Sequence, residues 1–162
     1  MPEKTLNTLF EDTLCDIYYA ERQILKALPK MAKAATSEAL ADGFEQHRQE
    51  TEIHVERLEK IFEMIDKRPR GKTCDAILGI IEEGKEIMEE YKGAQALDAG
   101  LTAAAQAVEH YEIARYGTLK AWAQQLGLDE AVQLLDQTLA EEKATDEKLT
   151  ALAESDVNRE AA

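Results

Sequence analysis

Residues 105–117 read AQAVEHYEIARYG, and the fold turns on what the two glutamates in that run are doing. At about 100° per residue, Glu109 and Glu112 fall on the same stripe as Leu101, Ala105, Tyr116 and Leu119, the side of a helix expected to face a core. A carboxylate moved from water into an apolar interior either shifts its pKa or acquires a partner, because a bare buried charge is costly. Two acids on one buried stripe require a partner in common.

The same interruption recurs along the chain. One stripe runs Phe10, Leu14, Ile17, then Glu21, then Ile24, Leu28 and Met31. A second runs Leu40, Phe44, then His47, Glu50 and His54, then Leu58, Ile61 and Ile65. A last one runs Val132, Leu135, Leu139, then Glu142 and Asp146, then Leu149 and Leu152. Capping and breaking residues place these stripes on helices over 5–35, 37–66, 97–126 and 129–153, with a short helix over 74–91 between the second and third. Ser37 is the expected N-cap of the second, and Gly127 closes the third in the position glycine favours after a helix end. Pro29 is expected to kink the last third of the first helix because it removes a backbone donor. Gly79 and Gly84 weaken the short helix, which nevertheless keeps an apolar face of Ile77, Ile80, Ile81 and Ile87. Residues 154–162 are expected to fray. Short first–second and third–fourth links with one long connection describe a single all-α domain over 1–162, a ferritin-like four-helix bundle whose crossover carries a short extra helix.

The polar slots lie near the middle of each helix, so they meet at one height in such a bundle. Glu21, Glu50, Glu109, Glu112, Glu142 and Asp146, with imidazole from His54 or His47, then surround one small volume. Without a cation this cluster repels itself and takes up protons, whereas two divalent ions bind deprotonated carboxylate and neutral imidazole directly. Mixed oxygen and nitrogen ligands suit iron or manganese, with zinc an alternative, and disfavour metals that select thiolate. His54, one turn from Glu50, is the better imidazole candidate and His47 the second; His110 points about 100° away from Glu109 and is read as exposed. Tyr18, Tyr116 and Arg115 stand close enough in sequence to be outer partners or plain core and surface residues. Arg48 and Arg57, interleaved with Glu52, Glu56, Glu59 and Glu63, read as a solvated face with pairs one turn apart, and KRPRGK (residues 67–72) as a solvated linker.

Composition narrows the function classes. A formal charge of −14 argues against nucleic acid, whose binders need a basic face. No apolar run approaches the roughly 18 residues of a membrane span, and the N-terminal MPEKTLNTLFEDTL has no signal-peptide core, so a cytoplasmic protein is expected. Cys15 and Cys74 match no zinc or redox spacing and read as free thiols.

The stretches TLFEDTLCDIYYAERQILKALPKMAKAA, FEQHRQETEIHVERLEKIFE, DAGLTAAAQAVEHYEIARYGTL and LLDQTLAEEKATDEKLTALA resemble the bacterial YciE/YciF family of ferritin-like proteins, over residues 4–153. That resemblance implies a cytoplasmic, dimeric, stress-associated protein of undefined activity. Rubrerythrin-like relatives in the wider superfamily place Glu on the first helix, Glu-x-x-His on the second, Glu-x-x-Glu on the third and Glu-x-x-His on the fourth. Glu21, Glu109 and Glu112 match this pattern. Ile53 stands where the second helix should offer histidine, and Thr145 where the fourth should, leaving Asp146 the nearest ligand-type group. The resulting expectation is a homodimeric protein holding two iron or manganese ions per chain: an oxidoreductase toward peroxide or dioxygen, an iron-handling protein that binds metal without much turnover, or a structural stress protein with a vestigial site. The rubredoxin-like Cys-x-x-Cys electron donor of full rubrerythrins is absent from this sequence.

Overall fold

The computed structural model describes residues 3–162. Helices α1 (Leu6–Ala34), α2 (Glu38–Met64), α3 (Asp75–Glu90), α4 (Leu97–Gln125) and α5 (Asp129–Leu152) are followed by a π-turn, Ala153–Val157, and a last turn of helix, α6 (Asn158–Ala161). Helices α1 and α2 pack as one hairpin and α4 and α5 as another. The two hairpins meet through α1 with α4 and α2 with α5, and α3 lies in the crossover against α4 and α1. This is the ferritin-like bundle with one crossover.

The helix ends follow from local chemistry. The Thr5 hydroxyl accepts from the Thr8 amide and starts α1. The Ser37 hydroxyl accepts from Leu40 N and starts α2, as its side chain predicts. Asp98 adds a second cap from a different helix: its two oxygens accept from Thr36 N at 2.8 Å and Ser37 N at 2.7 Å. The carboxylate is buried, and it ties the α1–α2 corner to the first turn of α4. Gly127, with φ of 71°, ends α4; its amide donates to Gln124 O and the next, Leu128 N, to Ala123 O, so carbonyls left over by the last turn find donors.

Phe10, Leu14, Ile17, Ile24, Leu40, Leu58, Ile61, Leu101, Leu119 and Leu135 are fully buried and fill the bundle on either side of its polar middle. Helix α3 seats closely on α4 at Gly100. Gly84 of α3 lies against Ala104, and a Cβ on Gly100 of α4 would fall 2.6 Å from Ile87 Cγ2.

One local expectation, the frayed tail, is corrected. Residues 154–162 continue as helical turns, because Val157 is buried and holds the segment to the bundle. Helix α1 includes Pro29, which is exposed, and continues to Ala34. The linker over 67–72 is exposed, as read, and is also anchored to α1: Lys72 N donates to Cys15 O at 3.1 Å, Gly71 packs on Tyr19, and Lys67 and Arg70 approach Glu11 at 3.5 and 3.6 Å.

Candidate metal centre

The four long helices bring six ionisable side chains into the apolar middle of the bundle: Glu21 from α1, His47 and His54 from α2, Glu109 and Glu112 from α4, and Glu142 from α5. All six are buried. They form two overlapping groups, His47, Glu109, Glu112 and Glu142 on one side and Glu21, His54 and Glu142 on the other, within each of which one ligand-type atom per residue lies within 4.8 Å of the rest. Glu142 belongs to both groups and stands between them.

The spacing of these atoms is close, but their directions do not pair them. His47 Nε2 lies 2.7 Å from Glu109 Oε1, 4.0 Å from Glu112 Oε2 and 3.8 Å from Glu142 Oε2. His54 Nδ1 lies 2.9 Å from Glu142 Oε1 and 3.7 Å from Glu21 Oε1. Nine buried atoms of the six residues nonetheless lack a hydrogen bond of acceptable geometry: Glu21 Oε2, both ring nitrogens of His47, His54 Nδ1, Glu109 Oε2, and both oxygens of Glu112 and of Glu142. A buried polar group left unsatisfied costs about 1–3 kcal/mol, so six such side chains would weigh against most of the roughly 5–15 kcal/mol that stabilises a domain. Lone pairs that converge without bonding one another fit a cation. Four carboxylates and two neutral imidazoles also match two divalent ions in charge.

Outer partners hold these side chains in place. Tyr116 donates its hydroxyl to Glu21 Oε1 at 2.5 Å, leaving Oε2 buried without a hydrogen-bond partner. His54 Nε2 pairs with Glu141 Oε2 at 2.7 Å, and Arg57 grips the same carboxylate at 2.6 and 2.9 Å. The Arg57–Glu141 pair thereby fixes the imidazole with Nε2 as donor and frees Nδ1 to ligate, an arrangement common behind metal-bound histidine. Arg57, expected on a solvated face, is only 15% exposed. Glu141 was not singled out by the sequence, since it precedes the stripe residue Glu142; its position one helical step off the core was the available signal.

The titration behaviour of the metal-free cluster follows from burial and mutual charge. Burial, then the charges of Glu142, Glu21 and Glu109, raise the Glu112 carboxyl well above the carboxylate range. Burial and Glu142 raise Glu109 likewise, against the opposing pull of His47. Burial disfavours the charged form of His54, but the negative charges of Glu142 and Glu21 beside it lift it to about 10. His47 is raised well above its usual value against the same burial penalty, chiefly by Glu109. Burial works against ionised Glu142 too, yet Glu109, His54 and the charge of His47 bring it down to about 2. Without metal, the site is a set of shared protons.

Two residues proposed as ligands stand apart. Asp146 is 20% exposed and faces away, accepting from Gln106 Nε2 at 3.4 Å and lying 3.1 Å from His110 Nε2. At about 100° per residue, Asp146 and Thr145 straddle the line through Glu142, and Thr145 takes the buried side. Glu50 sits at the margin, 26% exposed, with Oε2 at 3.8 Å from His47 Nδ1 and accepting from the Thr145 hydroxyl at 3.3 Å. His47, the second imidazole candidate, joins the cluster together with His54, so both imidazoles come from α2. His110 is exposed, as read. Tyr18 donates to Glu59 at 3.0 Å, and Arg115 stacks 5.2 Å over the Tyr111 ring; neither contacts the six.

Comparison with known proteins supplies the kinship. The family described as Domain of unknown function (DUF892) matches residues 5–162. Protein YciF of Escherichia coli (strain K12) is 45% identical over 162 residues, covering 99% of this chain and 98% of that one. Its crystal structure, described as that of a stress protein, superposes with a TM-score of 0.92 over 97% of this chain and 99% of the other. A Rhodopseudomonas palustris protein, YcfI, suggested to be structural, is 49% identical with a TM-score of 0.88, over 91% of this chain and 94% of its own. Match, identity and superposition agree, and the chain belongs to the DUF892 family of ferritin-like proteins related to YciF.

Proposed function

We propose that this protein binds two iron or manganese ions in the middle of its bundle, with Glu21, His54 and Glu142 facing one ion and His47, Glu109, Glu112 and Glu142 facing the other. The observation that supports this reading is the set of nine buried, convergent and unbonded ligand-type atoms. Such a pair of ions would supply redox chemistry toward peroxide or dioxygen. The chain's own residues bind and orient: Tyr116 holds a proton against Glu21, Glu141 and Arg57 set the His54 tautomer, and apolar layers flank the cluster on either side. By kinship with the E. coli stress protein, we place this activity in a cytoplasmic stress response and expect a homodimer.

A structural role with a residual site is the second reading, favoured by the suggestion made for the R. palustris relative. The two are separated by loading iron and manganese in turn, adding peroxide, and following peroxide loss with the metal spectrum in wild type and Glu112→Ala. Peroxide consumption faster than that of free metal, and lost in the variant, supports the oxidoreductase. Equal rates in both proteins, no faster than free metal, leave binding or structure.

A further inference from the structure

We infer that the cavity beside the cluster is a binding site for a free single-chain anionic amphiphile, a medium-chain fatty carboxylate, which enters tail first with its head at the mouth. The cavity has a volume of about 520 Å³, within the range of small-molecule sites, and is enclosed by α1, α2, α3, α4 and α5. Its walls are apolar, among them Ile24, Leu28, Phe44, Ile81, Met88 and Val108. The inner end reaches buried His47 and Glu109, with Glu50 beside them. The outer part carries four exposed lysines, Lys26 and Lys30 of α1, Lys85 of α3 and Lys148 of α5.

That distribution sets both chemistry and orientation. In a chain of net charge −14, four lysines around one apolar cavity are a local reversal of sign. Glu82 offsets one of them, pairing with Lys85 at 3.3 Å, and Lys26, Lys30 and Lys148 have no ion-pair partner among the described residues. A carboxylate head is attracted to that lysine rim, while a hydrocarbon tail replaces water along the walls. A compact hydrophilic anion would leave those walls unused, and a two-chain lipid exceeds one narrow cavity. The proposal rests on the cavity and its rim and holds with or without metal in the cluster.

The test is calorimetric titration of the full chain, metal-free and metal-loaded, with octanoate, decanoate and dodecanoate below their micellar concentrations, and with dodecyltrimethylammonium as the cationic counterpart. One carboxylate per chain is expected, with affinity rising about three- to fourfold per methylene. Lys26→Glu with Lys148→Glu should weaken dodecanoate by about tenfold with unchanged thermal unfolding. Ala27→Phe, on the half-buried wall, should block it. No binding of dodecanoate, equal binding of the two amphiphiles, or an affinity that follows metal but not the lysines would overturn the proposal. So would binding to phosphatidylglycerol vesicles without binding of monomeric dodecanoate, or light scattering in which Ala27→Phe splits a dimer, since a membrane or a second copy would then be the occupant.

Discussion

Replacing Glu112 with leucine should change stability in opposite directions with and without metal. Glu112 is fully buried, neither oxygen has a hydrogen-bond partner, and its neighbours include Glu109, Glu142 and Glu21. Leucine is close to glutamate in volume and carries no polar atoms. In metal-free protein the exchange removes a buried polar group that has no hydrogen-bond partner, a gain of about 1–3 kcal/mol. For a chain of this size that corresponds to roughly 2–4 °C in Tm per kcal/mol. With metal the sign reverses. Wild type at one hundred times its Kd gains about 2.7 kcal/mol from mass action, and the variant, with one of four carboxylates gone, should gain a small fraction of that. Thermal unfolding by circular dichroism, anaerobic, with chelator and then with ferrous or manganous ion, reads both halves. A metal-free variant markedly less stable than wild type would refute the reasoning, because it would show the carboxyl anchored in a satisfied network. Equal metal stabilisation of the two proteins would refute it from the other side.

The metal-free protein should lose stability as pH rises. The raised Glu112 and Glu109 carboxyls contribute stability below their ordinary value near 4.5 and lose it above, and His54, lifted to about 10, contributes below 6.5 and loses it through about 10. Glu142, lowered to about 2, acts oppositely, losing its contribution as pH falls below 4.5, so urea unfolding should find the maximum between these limits; flat stability from there to alkaline pH contradicts the shared-proton picture. Metal-loaded protein should instead release its ions in acid. Asp146→Ala, changing a residue outside the cluster, should leave metal stoichiometry intact, while Glu109→Ala lowers it; the reverse outcome by elemental analysis would reinstate Asp146 as a ligand. Glu141→Gln should weaken metal affinity by about 10- to 100-fold without unfolding the chain, measured by competition with a chelator, since it removes the carboxylate behind His54.

The bundle was legible because its signals are local and repeated. Helical stripes, a serine cap at Ser37 and a glycine stop at Gly127 each specify geometry from a few neighbouring residues. Five buried members of the cluster were likewise legible, since Glu21, His54, Glu109, Glu112 and Glu142 interrupt otherwise apolar stripes, and His47 was the second imidazole candidate. The errors lie at stripe edges. A residue about 40° off the stripe centre can turn inward or outward, and only the neighbouring helix decides. Asp146 turned toward His110 and Thr145 inward, while Glu141 and Arg57, just outside two different stripes, met across α2 and α5. Pairings between helices leave no mark in a single periodic pattern. The tail was misread because Val157 alone carries its burial, and one valine in a polar segment is a weak signal.

The most direct test of the central claim is the metal content of protein purified without chelator and then loaded anaerobically with ferrous or manganous ion. Two ions per chain, falling in Glu21→Ala and in Glu109→Ala, is the result expected from the geometry of the six buried side chains. A folded wild-type protein that stays empty under those conditions would contradict it.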